Sequence, residues 1–215
     1  MEGGGDEQDC CQGSLHIRYD RPFGSQFNDS REFNVALETW QIDPVHSCIH
    51  FSIRHFVISR IHGRFTKWGG AIHFDEEAPA SSTVDIHIDA NSIDTNDPNR
   101  DGHLKGADFF DTARFPEMTF KSTKVEPAGA NHYRVTGDFT LRGITQPVTL
   151  DVEHGGQVKD PWGNNRGGFS VTGSIDRKDF GLTFNAALEG GGLALGDTVH
   201  FSIDAEAVKA AQAAA

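Results

Sequence analysis

The stretch SIDTNDPNRDGHLKGADFFDTARFPEMTF, residues 92–120, decides the fold because the periodicity of the chain changes inside it. On both sides of it, apolar and polar residues alternate with period two, which is the pattern of strands with one buried face. Inside it, Leu104, Ala107 and Phe110 follow at helical spacing and predict a short helix with one apolar stripe. A single short helix between two runs of strands is suited to cover one open end of a sheet or barrel.

Both ends of this helix carry sequence signals. Asp97 or Asn99 is expected to cap its start, with Pro98 in the first turn, where a missing backbone N–H costs nothing. Phe115-Pro116 marks the return to extended chain, because a residue that precedes proline is disfavoured in a helix.

Outside the helix the chain contains about eight major strands. In the clearest of them Val84, Ile86 and Ile88 face one way, and the polar residues between them face the other. Neighbouring strands joined by short turns form antiparallel sheets, and closing such a sheet removes its exposed edges. The sequence therefore predicts an all-β fold, an antiparallel eight-stranded barrel with one short helix covering an end. At this strand number the interior is either just filled or wide enough for one ligand.

Glycines and charged residues punctuate the strands. Arg142-Gly143 is predicted to form a two-residue hairpin turn, and Gly69-Gly70 and Gly155-Gly156 are predicted to be turns as well. Asp176–Asp179 is predicted to be a solvated turn of paired charges, or else a site for a polar ligand head at the barrel mouth. A Gly-rich loop through Gly190–Gly192 precedes the last strand.

The composition limits the classes of partner. The chain of 215 residues has 31 acidic side chains against 19 Lys and Arg, a net charge of −12 with neutral histidine. Such a chain should not seek nucleic-acid phosphates or anionic lipid surfaces. No stretch approaches the ~20 apolar residues of a membrane-spanning helix, so no integral membrane insertion is expected. The 16 Phe supply aromatic bulk without polar atoms, which suits a wide apolar interior.

We divide the chain into three parts. Residues 1–38 are predicted to be a flexible N-terminal extension, residues 39–208 the barrel, and residues 209–215 an Ala-rich tail. The N-terminus lacks the basic and apolar regions of a secretory signal, and the three cysteines fit a reducing compartment. We therefore expect a cytoplasmic protein, or a periplasmic one if a native signal was removed. No role follows for the extension or for Cys10 and Cys11.

Several motifs resemble those of the YceI-like family of polyisoprenoid-binding proteins. Three of them lie in the central stretch: Arg100–Leu104, Asp108–Asp111 and Phe115–Phe120. Others resemble the family's opening, first hairpin, mid-barrel hairpin and late turn: Trp40–Ser47, Phe51–Phe65, Gly137–Val148 and Ile175–Gly181. The motifs occur in the family's order, and the resemblance extends from Thr39 to Val208.

The resemblance implies a lipocalin-like barrel that holds a long isoprenoid chain. The implied function is non-enzymatic storage, transport or shielding of an isoprenoid-tailed lipid such as a polyprenyl phosphate or a quinone. This lipid would be the bound ligand, and no further cofactor is required. Burying each CH₂ group of such a chain contributes on the order of 0.8 kcal/mol, so only the head group needs polar partners.

Strand parity selects the side chains expected to line the interior and contact the lipid. All of them are apolar, and a filled core would use the same residues. They are Phe51, Ile53, Phe74, Val84, Ile86, Ile88, Phe120, Phe139, Leu141, Val171, Phe201 and Ile203.

Two other functions fit the sequence. One is an enzyme that modifies such a lipid through Asp101 and His103, and the other is a filled-core barrel that acts as a dimeric interaction module. The structural alternative for the first is that Asp101 stabilises the first helical turn and that Arg100 makes an ion pair. We expect no metal site. His46 and His50 share the even spacing of one strand face, but zinc needs three or four ligands.

Overall fold

The computed structural model describes residues 38–75 and 78–210. The predicted N-terminal extension before Glu38, with Cys10 and Cys11, lies outside the described residues, and so does the tail after Ala210. The described chain forms eleven strands and one α-helix. They are β1 (Glu38–Ile42), β2 (Cys48–His55), β3 (Ser59–Phe65), β4 (Trp68–Phe74), β5 (Thr83–Asp89), β6 (Ile93–Asp94), α1 (Pro98–Lys105), β7 (Glu117–Gly129), β8 (His132–Leu141), β9 (Ile144–Lys159), β10 (Asn165–Asp176) and β11 (Leu195–Lys209).

Eight of these strands close into an antiparallel barrel. The order around it is β1-β4-β5-β7-β8-β9-β10-β11, and β11 returns to β1 through three residue pairs, from Trp40 with Lys209 to Ile42 with Ala207. The predicted eight-stranded antiparallel barrel with a single helix is therefore confirmed. Strands β2, β3 and β6 branch from the ring, because β2 pairs with the first part of β11 and β1 only with its end.

The point where β11 changes neighbour is bridged by Ser47. The last residue of β11 that pairs with β2 is Asp204, and the first that pairs with β1 is Ala207. Between them, the Ser47 hydroxyl accepts from the Glu206 N–H at 2.9 Å and donates to the Glu206 carbonyl at 3.2 Å. The Asp43 N–H also donates to that carbonyl, at 2.8 Å. The backbone at the fork is thereby satisfied without a strand partner.

Of the three turns predicted from glycines, one is confirmed and two are wrong. Arg142-Gly143 joins β8 to β9 with φ angles of 52° and 73°, as a two-residue hairpin turn requires. Gly69-Gly70 instead lies inside β4, where a Cβ at position 70 would collide with the Asp85 carbonyl on the neighbouring strand. Gly155-Gly156 lies inside β9, where Gly155 is the extra residue of a bulge in the pairing with β10. Glycine inside a strand commonly marks a close approach or a bulge.

Helix α1 begins as predicted but is shorter. The Asp97 side chain accepts from the N–H groups of Asn99 and Arg100, and Pro98 occupies the first turn. The helix ends at Lys105, so the predicted stripe does not continue through Ala107 and Phe110 on a helix. The chain from Gly106 onward folds into tight turns whose N–H groups donate back to the last helical carbonyls. Among the described residues no helix has the length and hydropathy needed to cross a bilayer.

A charged network holds the barrel end that lies opposite α1. The Arg166 guanidinium donates to Asp160 and Asp43, both at 2.9 Å, and also to Glu206. The pKa of Asp43 is lowered to about 2, first by the hydrogen bond from His46 and then by that from Arg166. Hydrogen bonding to Arg166 is also the main cause that holds the pKa of Asp160 well below its usual range. The network ties the β9–β10 turn to β11 and to the end of β1.

We predict that Ser47→Ala destabilises the fold, because it leaves the Glu206 N–H without its partner at the fork. An unsatisfied buried donor costs about 1–3 kcal/mol, and because this bond is part-buried we expect the lower end of that range, measurable as a lower free energy of unfolding in urea. Ser170→Ala is the matched control, since that exposed hydroxyl donates only to the Asp204 carboxylate. The control should change the free energy by less than about 0.5 kcal/mol. Equal effects of the two substitutions would show that Ser47 does not support the fork.

We predict that the destabilisation caused by Asp43→Asn depends on pH. A carboxyl group whose folded pKa lies below its unfolded value of ~3.9 stabilises the fold above that pH and stops doing so as the pH falls through the folded pKa. The deficit in melting temperature should therefore be full near neutral pH and shrink between about pH 4 and pH 2. Asp85→Asn, which removes an exposed pair with Lys121, is the control. A deficit that grows on acidification would contradict the assignment.

Candidate ligand cavity

The barrel encloses a cavity of about 440 Å³. Its wall is almost entirely apolar and is built from the inward faces of the strands, from the α1 segment and from the loop that precedes β11. This volume lies within the range of ~300–1,000 Å³ that is usual for small-molecule sites. Toward the end opposite α1, Trp40 is 1% exposed and packs beneath Gly167. The interior is therefore an apolar space inside the barrel.

All twelve side chains selected by strand parity lie on the wall of this cavity. Eight of them are only partly buried although they point into the barrel, because they border open space. The eight are Phe51, Ile53, Val84, Ile86, Phe139, Val171, Phe201 and Ile203. The other four, Phe74, Ile88, Phe120 and Leu141, are buried. The structure thus brings the set together, and the contact of these residues with a ligand stays a prediction.

Three of the phenylalanine rings lie against glycines of a neighbouring strand. In each pair, a Cβ on the glycine would collide with the ring. The pairs are Phe51 with Gly63, Phe120 with Gly137, and Phe201 with Gly173. A ring that covers a glycine occupies the wall of the barrel and not its centre. The glycines therefore help to keep the middle of the barrel open.

The polar part of the wall is concentrated near α1. Arg100 and His103 project from the helix to the cavity, and His55 borders it from the end of β2. Arg100 donates from Nε to the Thr95 hydroxyl and from Nη2 to the Thr95 carbonyl, both at 2.7 Å. Among the residues that the structure describes, Arg100 makes no ion pair, so the predicted one is wrong; its guanidinium donates to Thr95 instead. Its Nη1 has no hydrogen-bond partner within the described ranges, 38–75 and 78–210.

Asp101 and His103 have separate partners. Asp101 Oδ1 accepts from the Thr95 N–H at 2.9 Å and from the Thr95 hydroxyl at 2.6 Å. His103 Nε2 lies 3.5 Å from Asp108, and its ring packs edge-on against Phe109 and Phe184. Asp101 thus ties the start of α1 to the preceding segment. The pair is not arranged as a hydrogen-bonded acid–base couple.

Arg177 is the main side chain of this region that sequence reasoning misplaced. It was predicted to lie in a solvated turn, or else at a site for a polar ligand head. It is 2% exposed and borders the cavity. Its guanidinium donates to the carbonyls of Gly196, Leu182 and Phe184, and to Asp197 at 3.3 Å. Arg177 therefore fastens the loop before β11 across the barrel end. The alternating charges around it gave no signal of burial.

The loop between β10 and β11 also contributes wall residues that the sequence did not select. Leu182, Phe184, Ala186 and Ala194 border the cavity, although this loop has no strand alternation from which their direction could be read. Leu104, Phe109 and Phe110 join them from the α1 segment. The sequence did predict that this segment would cover an end with apolar side chains.

The carboxylates at the barrel end opposite α1 do not form an evident metal centre. Ligand atoms of Asp43, His46 and Glu206 lie within 4.8 Å of one another. Arg166 donates to both carboxylates, so a guanidinium already supplies the positive charge that a cation would bring. We interpret the group as an ion-pair network.

Comparison with known proteins gives the family. The profile of the YceI-like domain matches residues 40–207 of this chain, most of its length. The chain belongs to the YceI-like family. The YceI-like region is 44% identical over 138 residues to a UPF0312 protein of Yersinia pestis (strain Pestoides F), covering 64% of this chain and 71% of the relative. A UPF0312 protein of Pectobacterium carotovorum subsp. carotovorum (strain PC1) matches with the same identity and coverage.

Solved structures share the YceI-like barrel. The YCEI protein of Campylobacter jejuni is 32% identical, with a TM-score of 0.63 over 74% of this chain and 90% of that one. BcnA of Burkholderia cenocepacia has a TM-score of 0.68 at 24% identity, over 77% and 98%. A polyisoprenoid-binding domain of Saccharophagus degradans has a TM-score of 0.54 at 16% identity, over 80% and 98%. The last two likenesses concern the fold alone.

We predict that Gly173→Ala reduces the capacity of the cavity. The new Cβ would lie 2.6 Å from the Phe201 ring, so the ring must turn toward the open centre. Uptake of an apolar fluorescent probe should fall, while the melting temperature of the empty protein changes little, because the displaced ring has space.

Gly168→Ala is the control for this substitution. It lies in the same strand, and a Cβ there would meet no atom within 4 Å. The two variants should therefore differ in probe uptake. Unchanged uptake together with a stability loss of about 1–3 kcal/mol in Gly173→Ala would show that the ring faces a filled core.

Proposed function

We propose that this protein binds an isoprenoid-tailed lipid inside the barrel. It stores, transports or shields this lipid and does not change it chemically. The observation that carries the proposal is the apolar cavity of about 440 Å³ inside the barrel. Membership of the YceI-like family supports it, as does the shared fold of a domain described as polyisoprenoid-binding.

An isoprenoid chain matches this cavity because both are apolar along their length. The wall offers apolar contacts from every strand of the barrel and few groups that would require a hydrogen bond from the ligand. Each buried CH₂ contributes on the order of 0.8 kcal/mol to binding. The total contribution depends on the buried apolar area and not on the orientation of particular contacts. The barrel would therefore select its ligand mainly by chain length and width.

The head group would lie near α1, where the polar wall residues are found. Arg100 points a guanidinium at the cavity with Nη1 available, and His103 lies beside it, 50% exposed. A phosphate or a quinone carbonyl would accept a hydrogen bond from such a donor. Buried Arg177 is less suited to this role, because Leu182, Phe184, Gly196 and Asp197 already take up its donors.

The alternative in which Asp101 and His103 modify the lipid has less support. Asp101 is engaged by Thr95, and His103 by Asp108, so neither polarises the other. General acid–base catalysis requires a group within hydrogen-bond reach of the proton that it transfers. The filled-core dimer module has less support as well, since the wall residues border open space.

The test is mass spectrometry of an organic-solvent extract of the purified protein. We expect a lipid with an isoprenoid chain, and we expect delipidated protein to take up the same lipid again with its mass unchanged. An extract without long-chain lipid, together with no uptake of polyprenyl lipids, would remove the proposal. A mass change in the lipid that disappears in His103→Ala, with the fold intact, would favour the enzyme.

A further inference from the structure

The tip of the β2–β3 hairpin exposes three consecutive apolar side chains. Phe56, Val57 and Ile58 are 43%, 72% and 84% exposed. The turn is unfavourable for these residue types, since Phe56 and Val57 have φ angles of 50° and 64°, a region that asparagine and glycine prefer. Neither turn propensity nor packing in the barrel accounts for apolar residues at this position. Large exposed apolar groups often mark an interaction site.

The tip belongs to a hairpin whose charge is opposite to that of the chain as a whole. The segment from Cys48 to Phe65 contains three arginines and three histidines but no Asp or Glu, although the net charge of the chain is −12. Arg54 and Arg60 face each other across β2 and β3 and are both exposed. Neither makes an ion pair with any residue of the described chain. Like charges placed opposite each other are unfavourable without an outside anion.

The same tip borders the cavity at the end away from Trp40. His55, which immediately precedes Phe56, lies on the cavity wall. The Phe56 N–H donates to the carbonyl of Ala194, another wall residue, at 2.8 Å. Leu193, which is 48% exposed, adds a further apolar group beside it. The exposed apolar tip, the cationic pair and the polar side of the cavity therefore lie at one end of the barrel.

We propose that the β2–β3 hairpin docks this end of the barrel onto an anionic phospholipid bilayer. The apolar tip enters the boundary between head groups and acyl chains, and Arg54 and Arg60 bind lipid phosphates at the surface. The docking explains why a chain of net charge −12 keeps one hairpin free of carboxylates, because only charges within about 10 Å of the surface are felt strongly in physiological salt. Docking would allow a lipid to pass between the bilayer and the cavity, and this role rests on the proposed function. The docking itself does not depend on the proposed function.

The experiment is flotation of the full chain with phosphatidylcholine vesicles that contain or lack phosphatidylglycerol. We expect binding to the anionic vesicles that weakens with added salt. Replacing Arg54 and Arg60 by Gln should weaken it about fivefold for each arginine. Val57→Asn with Ile58→Ser should weaken it about tenfold for each side chain. Asparagine suits the left-handed φ at position 57, so this variant should keep its melting temperature.

Trp162→Ser is the matched control. Trp162 is 81% exposed in the β9–β10 turn, beside the end of β11, whereas the β2–β3 tip lies beside the start of β11. Removing this equally exposed apolar side chain should leave vesicle binding unchanged. Equal losses in the tip and Trp162 variants would overturn the proposal, because they would indicate non-specific adsorption. Absence of wild-type binding to anionic vesicles would overturn it too.

Probe uptake and the oligomeric state separate bilayer docking from lipid binding in the cavity and from dimerisation. Uptake of an apolar probe from solution should be the same in the wild type and in the tip variant, since the tip lies outside the cavity. An extract without lipid alongside normal vesicle docking would therefore refute the proposed function and leave the docking intact. A dimer that dissociates in the tip variant, without vesicle binding by the wild type, would show that the tip binds a second copy of the chain and would refute docking.

Discussion

The structure depends on the way in which β11 is shared between two neighbours. A barrel must close to satisfy its edge strands, and closure here rests on three residue pairs between β1 and β11. The rest of β11 pairs with β2, so the two partners must separate at Glu206, where Ser47 completes the backbone hydrogen bonding. The Arg166 network stands beside this fork and joins Asp43 to Glu206. Three residue pairs between β1 and β11 are sufficient because Ser47 and the Arg166 network reinforce the closure.

Closure also determines what the interior can contain. Once the edges are paired, water reaches the centre only through an end of the barrel. The inner faces must then be apolar, but apolar faces alone would meet in a filled core. What keeps space is the placement of glycine beneath phenylalanine, as at Gly173 and Phe201, so that aromatic bulk lies along the wall. A Phe-rich composition and an open cavity are compatible for this reason.

The sequence predicts those features that follow from local backbone rules. Strand parity placed Ile86 and Phe201 on the inner face, because alternate side chains of a strand must point to opposite sides. Arg142-Gly143 was identifiable because a tight hairpin requires positive φ. Features set by distant contacts were not predictable. Gly70 is required by the Asp85 carbonyl of another strand, and the burial of Arg177 depends on carbonyls of a loop without periodicity. The helix ended early for a similar reason, since the segment after Lys105 folds back on α1.

Net charge is a weaker guide to one part of the surface than to the chain as a whole. A total of −12 describes the average surface, and it predicted that the chain would avoid anionic lipids. The fold distributes that charge unevenly, because the fork at Glu206 directs the carboxylate-free hairpin away from the charged network around Arg166. Since the field of a surface charge decays over about 10 Å in physiological salt, a bilayer at the tip would respond to the charges of this end more than to those around Arg166. The strand exchange that closes the barrel is therefore also what presents its one cationic, apolar-tipped hairpin beside the cavity.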